Sequence, residues 1–214
     1  EASVSPYLKM HGQDPVNWYP WGESAFEEAR RRNVPVFLSI GYYACHWCHV
    51  MHQESFKDPK IAAFLNTHFV AIKVDREERP DVDDLYMDAV RILNRNNSGW
   101  PASIWLTSDG QPFFAGTYFP PTTRKGRPGF LELLTRIQED WTKKPGDIRN
   151  FATKTGNRLI DRAKNQGSGV VPTGTGAEAA RRMLSSWSPE NRGWGTRQQF
   201  PMVPNLQFML WNSI

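Results

Sequence analysis

The sequence predicts an α/β domain, a central mixed sheet flanked by helices, and two observations carry that expectation. One is the succession of hydrophobic patterns: two short, nearly continuous apolar runs, each followed by a helical period, then a hairpin and a last amphipathic helix. The other is a pair of cysteines three positions apart, set soon after the first apolar run. Folds of this class collect functional groups there, beyond the carboxyl edge of the sheet.

Taken in order, residues 7–21 are rich in aromatic side chains and read as irregular. Glu23–Arg32 reads as a helix, with Ala25, Phe26 and Ala29 on one face and charges elsewhere, ended by Asn33 and Pro35. Residues 36–40, Val-Phe-Leu-Ser-Ile, have the pattern of a buried strand. Gly41 and two tyrosines turn the chain into a helix over residues 45–55, and residues 59–66 form a second. The next strand covers 69–74, with Asp75 at its carboxyl end. Pro80 opens a helix to about Asn94, its acidic first turn (Asp81, Asp83, Asp84) at the positive end of the dipole and expected to be solvated. Ala102–Leu106, the turn Ser108-Asp109-Gly110 and residues 112–115 form the hairpin. A helix over 129–141 follows, with Phe130, Leu133, Leu134, Ile137 and Trp141 along one side. These elements delimit a domain over residues 1–145. Residues 146–176 read as a helix and a glycine-containing linker, and 177–214 as the truncated start of a further helical domain.

The net charge of +4 is unevenly held: residues 1–145 carry 17 Lys+Arg against 18 Asp+Glu, and the remainder 9 against 4. The main domain therefore offers no footprint for nucleic acid, and the basic tail reads as solvated. No apolar run approaches the length of a membrane helix, and no charged-then-apolar leader follows Glu1. Two cysteines this close cannot staple a fold as a secreted disulfide framework does, which favours a cytoplasmic setting without fixing the compartment. They can carry redox chemistry, bind a metal or hold a haem.

Cys45-His46-Trp47-Cys48 at a helix start has a direct rationale. Unpaired backbone N–H groups and the helix dipole favour a thiolate at Cys45, and His46, with His49 close by, can tune it or move its proton. Cys48, one turn on, can attack a mixed disulfide formed at Cys45. Cys45 is thus the expected nucleophile and Cys48 the resolving thiol. Trp47 lies between two residues that must be reached, so it is expected to be exposed as a binding surface for a substrate or a neighbouring domain. Trp100-Pro101 stands at the head of the strand 102–106, where proline withholds no needed N–H. A cis bond there would bring the loop to the cysteines and offer Trp100 backbone groups to a substrate strand. This chemistry needs no cofactor. Its partner is a protein or small-molecule disulfide or dithiol.

These motifs, with Ser5-Pro6-Tyr7-Leu8, Asp14-Pro15-Val16-Asn17-Trp18-Tyr19-Pro20-Trp21, Ser39-Ile40-Gly41-Tyr42, the run from Lys73 to Asp81 and Gly116-Thr117-Tyr118-Phe119-Pro120-Pro121, resemble the spermatogenesis-associated protein 20 family. The resemblance covers residues 5–141. It implies a thioredoxin-like fold with redox chemistry, followed by an α/α toroid resembling six-hairpin glycosidases. Gly193-Trp194-Gly195 and Phe200-Pro201 resemble the segment that opens the toroid, which would contact the first domain within one molecule. Compared with thioredoxins proper, the chain has Ser39 in place of a buried aspartate and His-Trp in place of Gly-Pro between the cysteines.

Three rival readings use the same residues. Cys45-His46-Trp47-Cys48-His49 matches the haem-attachment signature, but here it follows a buried strand instead of lining a small helical pocket. Cys45, Cys48, His49 and His52 share one helical face and offer a zinc-type ligand set, although side chains on one short helix run parallel and do not converge. A non-catalytic, metal- or partner-binding module attached to a carbohydrate-processing-like domain is the third. Asn96-Asn97-Ser98 also matches a glycosylation acceptor, a short and weak motif.

Overall fold

Two parallel strands, β2 (Val36–Gly41) and β3 (Val70–Asp75), form the middle of a five-stranded sheet. β1 (Trp18–Tyr19) adds in parallel to β3; β4 (Ala102–Leu106) runs antiparallel to β2 and pairs with β5 (Pro112–Gly116), giving the order β1-β3-β2-β4-β5. Every residue of β2 and β3 is buried, which is why both read as continuous runs without alternation. The computed structural model describes residues 4–94, 97–124, 126–164, 172–190, 193–194 and 203–211, and divides into two units, Glu1–Asn165 and Gln166–Ile214. The sheet belongs to the first.

Side-chain alternation sorts the core of this unit into two layers. Val36, Leu38 and Ile40 of β2, with Val70, Ile72 and Val74 of β3, pack against α2 (Glu23–Arg32), α5 (Pro80–Leu93) and Leu159 of α7 (Pro145–Lys164). Phe37 and Ala71 point the other way, into a layer with Trp105, α4 (Pro59–His68) and α6 (Phe130–Lys143). Helices therefore cover both faces, and the fold is thioredoxin-like. The same alternation places Ser39 and Gly41 of β2, and Lys73 and Asp75 of β3, on the Phe37 side; Ser39 and Lys73 are register partners.

Four departures from the expected elements have physical causes. Residues 6–11 are helical, not irregular: α1 (Pro6–His11) is capped by Ser5, whose Oγ accepts from Leu8 N–H at 3.0 Å, with Pro6 in the first turn. The helix expected over 45–55 divides into α3 (His46–Met51) and a π-helical turn, His52–Phe56, closed by the Lys57 N–H on the His52 carbonyl at 3.1 Å. α7 lies within the first unit, with Ala152, Thr155 and Leu159 buried, so that unit extends past residue 145. The acidic first turn of α5 is not simply solvated, because Asp83 is buried.

The second unit contains α8 (Thr175–Ser185), a two-stranded ribbon of β6 (Trp187–Ser188) and β7 (Gly193–Trp194), and α9 (Val203–Trp211). Trp187 and Trp194 meet edge to face, and Trp194 Nε1–H donates to the Met183 carbonyl at 2.7 Å. Residues 167–171 of the expected linker, Gly195, Phe200-Pro201 and Asn96 of the glycosylation motif lie outside the described residues.

Candidate active site

Cys45 is the N-cap of α3, in extended conformation, and its Sγ accepts the Cys48 N–H at 3.2 Å. A sulfur at this position shares the Cys48 N–H with the Cys45 carbonyl, which accepts it at 3.1 Å, and it lies at the positive end of the dipole. The two cysteines form a disulfide. Their surroundings differ: Cys45 retains 5 % exposure between the exposed Ala44 and His46, whereas Cys48, on the inner side of the turn, retains 1 %.

Trp47 is 52 % exposed, and its ring lies 4.9 Å from that of Tyr118. The Tyr118 hydroxyl donates to Glu54 Oε2 at 2.5 Å; partial burial and that carboxylate push it up to about 12. His46 is exposed and edge-on to Trp47. His49 Nε2 lies 2.6 Å from the Tyr43 carbonyl, which fixes that nitrogen as the protonated one.

The Trp100–Pro101 bond is cis, and Trp100 packs against the pair formed by Cys45 and Cys48. Its indole is held from below. Nε1–H donates to Asp83 Oδ1 at 2.8 Å, and the Arg76 guanidinium stacks 4.0 Å above the ring while its Nε reaches Asp83 Oδ2 at 3.1 Å. Burial raises the Asp83 carboxyl; the Trp100 hydrogen bond and Arg76 oppose this. The acidic run at the start of α5 thus contributes a buried anchor for the loop beside the cysteines.

On the Phe37 side of the sheet lies a polar stripe that residue spacing alone did not single out. Lys73 is 4 % exposed; its Nζ donates to Ser39 Oγ at 3.1 Å and sits 4.3 Å from the Phe56 ring centroid and 4.7 Å from that of Trp18. Burial pushes the ammonium down to about 7, with Asp14 opposing. Asp14 accepts from His11 Nδ1 at 2.7 Å, His52 Nε2 at 2.6 Å and Trp18 Nε1 at 2.9 Å. Burial alone would raise that carboxyl, but the three hydrogen bonds hold it below the usual carboxylate range. His11 is held neutral, down to about 3, by burial first and by the charge of Lys73 second. A signal for this stripe was present: a lysine inside an apolar strand, two residues from an aspartate on the same side.

The predicted residues therefore divide. Cys45, Cys48, Trp47 and Trp100 come together, with His46 and Pro101 beside them in sequence. The alternative ligand set of Cys45, Cys48, His49 and His52 does not converge. The cysteines are bonded to each other, His49 turns to the Tyr43 carbonyl, and His52 is buried against Asp14. The π-helical turn begins at His52 and breaks the regular spacing that the shared face required. Among the described residues, the group that could offer three ligand atoms to a metal is His11, Asp14 and His52, all within 4.8 Å. Asp14 already has three donors there, and Lys73 is close enough to depress His11, so the site disfavours a further cation. An open groove of about 740 Å³, lined by Trp21, Leu85, Tyr86 and Leu159, contains neither the cysteines nor Trp100-Pro101.

A thioredoxin-like sheet, a disulfide between the cysteines of a Cys-x-x-Cys helix cap and an adjoining cis-proline define a thiol–disulfide oxidoreductase-like module. The chain belongs to the family described as "Protein of unknown function, DUF255", whose profile matches residues 1–160. It is 40 % identical over 209 residues to human spermatogenesis-associated protein 20, covering 96 % of this chain and 26 % of that protein. It is 42 % identical over 215 residues to the uncharacterized protein B0495.5 of Caenorhabditis elegans, covering 96 % of this chain and 28 % of the relative. The chain thus spans about a quarter of the length of these relatives. Among solved structures it is similar to one titled "DsbH Oxidoreductase" (TM-score 0.45, 14 % identity, 67 % of this chain and 96 % of that one). It is also similar to a thioredoxin from Thermus thermophilus (TM-score 0.40, 21 % identity, 59 % and 89 %). Among the described residues, no helix is long and apolar enough to cross a membrane.

Proposed function

We propose that Cys45 attacks a substrate disulfide and Cys48 resolves the mixed disulfide, with Trp47, Trp100 and Pro101 contacting the partner chain. The observation that carries this reading is the asymmetry of the pair: Cys45 is the helix cap with a backbone N–H on its sulfur and 5 % exposure between exposed neighbours, and Cys48 retains only 1 %. His46 and His49 flank the thiolate and are its nearest proton-transfer groups in sequence. In the reducing direction, Cys45 S⁻ takes one sulfur of R–S–S–R′ and releases R′–S⁻. Cys48 then closes on Cys45 and releases the second thiol. The partner is a protein or small-molecule disulfide or dithiol. Residues 177–214 open an α/α toroid-like domain that contacts the redox module within one molecule, a reading supported by the Gly193-Trp194-Gly195 and Phe200-Pro201 motifs.

The test is trapping. Reduced Cys48→Ser exposed to glutathione disulfide should hold one glutathione on Cys45, seen by intact mass, while reduced Cys45→Ser should react at least about a hundredfold more slowly, as expected of a sealed thiol. Faster capture at Cys48 would reverse the assigned roles.

A further inference from the structure

The Tyr7 hydroxyl is buried and has no hydrogen-bond partner among the described residues. A buried phenol without a partner is costly, so its neighbours matter. Tyr7 forms one cluster with Cys45 and Cys48. A Cβ built on Gly41 would stand 2.3 Å from Tyr7 Oη and 2.7 Å from Cys48 Sγ, so these two atoms face each other across the space that glycine leaves open. The absence of a side chain at Gly41 lets the phenol and the resolving sulfur border the same space.

We propose that Tyr7 is a catalytic residue acting on Cys48: its O–H donates to Cys48 Sγ whenever the disulfide is open. The proposal deepens the redox reading above and rests on it. In the disulfide, Cys48 Sγ is a neutral, weak acceptor. As a thiolate it is an anionic acceptor in a pocket closed to water, where a fixed donor counts most. The tyrosine remains a donor throughout. Burial, and then the negative charges of Asp75 and Asp14, push its pKa far above the ordinary tyrosine value. The other charged and titratable groups around it are Lys73, whose Nζ lies 5.1 Å from the ring centroid, and the His11 ring at 5.0 Å. Asp75 is itself engaged by the Ser5 hydroxyl at 2.6 Å and the Glu77 N–H at 2.9 Å.

The step balances without any further reagent. Cys48 S⁻ attacks Cys45 Sγ of the mixed disulfide. The Cys45–Cys48 bond forms, the Cys45–S–R bond breaks, and the electron pair leaves on R–S⁻. The proton given up by Cys48 ends, net, on the released R–SH. The dithiol loses two electrons, the substrate gains them, and Tyr7 keeps its proton.

Tyr7→Phe removes only the hydroxyl and is the test. At equilibrium with glutathione the variant should favour the disulfide about tenfold more than wild type, or about 30 mV. In a Cys45→Ser background the pH at which Cys48 alkylation reaches half its maximal rate should rise by about one unit with Tyr7→Phe. Cys45 alkylation in a Cys48→Ser background should not change. If Tyr7→Phe alters neither the equilibrium nor the Cys48 profile, the proposal is wrong while the redox reading stands. If wild type never equilibrates with glutathione, the redox reading fails, and the Cys48 profile still decides whether the hydrogen bond exists. Should the variant not fold, the Tyr7 ¹³Cζ resonance of wild type must move on reduction, and must not move in Cys48→Ala; a resonance indifferent to reduction overturns the proposal.

Discussion

At the scale of residues, the groups that decide the behaviour of the site are single buried side chains with few neighbours to choose from. Gly41 is one. Its missing Cβ leaves room for both the Tyr7 hydroxyl and Cys48 Sγ, and Gly41→Ala should cost about 1–3 kcal/mol by overpacking, measured by urea unfolding of the oxidised protein. Lys73 is another. Its folded value of about 7 lies below the ordinary 10.5, so between those limits the unfolded chain binds a proton that the folded chain does not. Stability should therefore rise with pH from about 7 toward 10, and Lys73→Met should abolish that rise; equal unfolding free energies from urea titrations at pH 7 and 9.5 would contradict the assignment. His11 works in the same direction at lower pH. Held neutral down to about 3, against an ordinary value of 6.5, it leaves the folded state losing stability as pH falls from 6.5, and Asp14, held low, adds to the loss below the usual carboxylate range. The cysteine pair, Trp47 and the Trp100–Pro101 loop were legible in the sequence because spacing and residue type alone specify them. Tyr7, His11, Asp14 and Lys73 were not, since their roles arise from contacts between α1, β3 and the segment after α3.

At the scale of elements, what could be read was whatever local chemistry fixes. α2 matched residue for residue because its apolar face, its acidic start and the left-handed Asn33 at its end all agree. β2, β3 and β4 matched within a residue or so because full burial leaves unbroken apolar runs. α1 was missed although Ser5 and Pro6 signal a helix start, since six residues are too few to show a period. β1, only two residues long, exists through pairing with β3 and has no pattern of its own. The π-helical turn is likewise a tertiary matter, with Phe56 buried in the core and His52 drawn to Asp14. α5 carries a testable function: Asp83 anchors both Trp100 and Arg76. Asp83→Ala should leave the indole N–H and the guanidinium unpaired, cost about 1–3 kcal/mol in unfolding free energy, and slow exchange with a protein disulfide more than with glutathione disulfide. Equal slowing with both substrates would show that the loop is not a docking element.

At the scale of the molecule, the division into two units bears on what a shorter chain can do. The family match ends at residue 160, the first unit at 165, and α7 seals the core of that unit with Leu159. A fragment of residues 1–165 should fold cooperatively and equilibrate with glutathione as the longer chain does. A fragment cut at 145 would lose α7 and leave the groove-side core open, and should be less stable. The proposal turns on one atom: Cys45 Sγ, which accepts the Cys48 amide, acts as the reactive sulfur, and Cys48, the less exposed residue, as the resolving one. Alkylation of the reduced wild-type chain across pH, with each cysteine quantified by peptide mass, tests it most directly. Modification should fall first and predominantly on Cys45, its rate levelling off below the pH of about 8.5 expected of a free thiol. Equal labelling of the two cysteines, or a Cys45 rate still climbing beyond that pH, would contradict it.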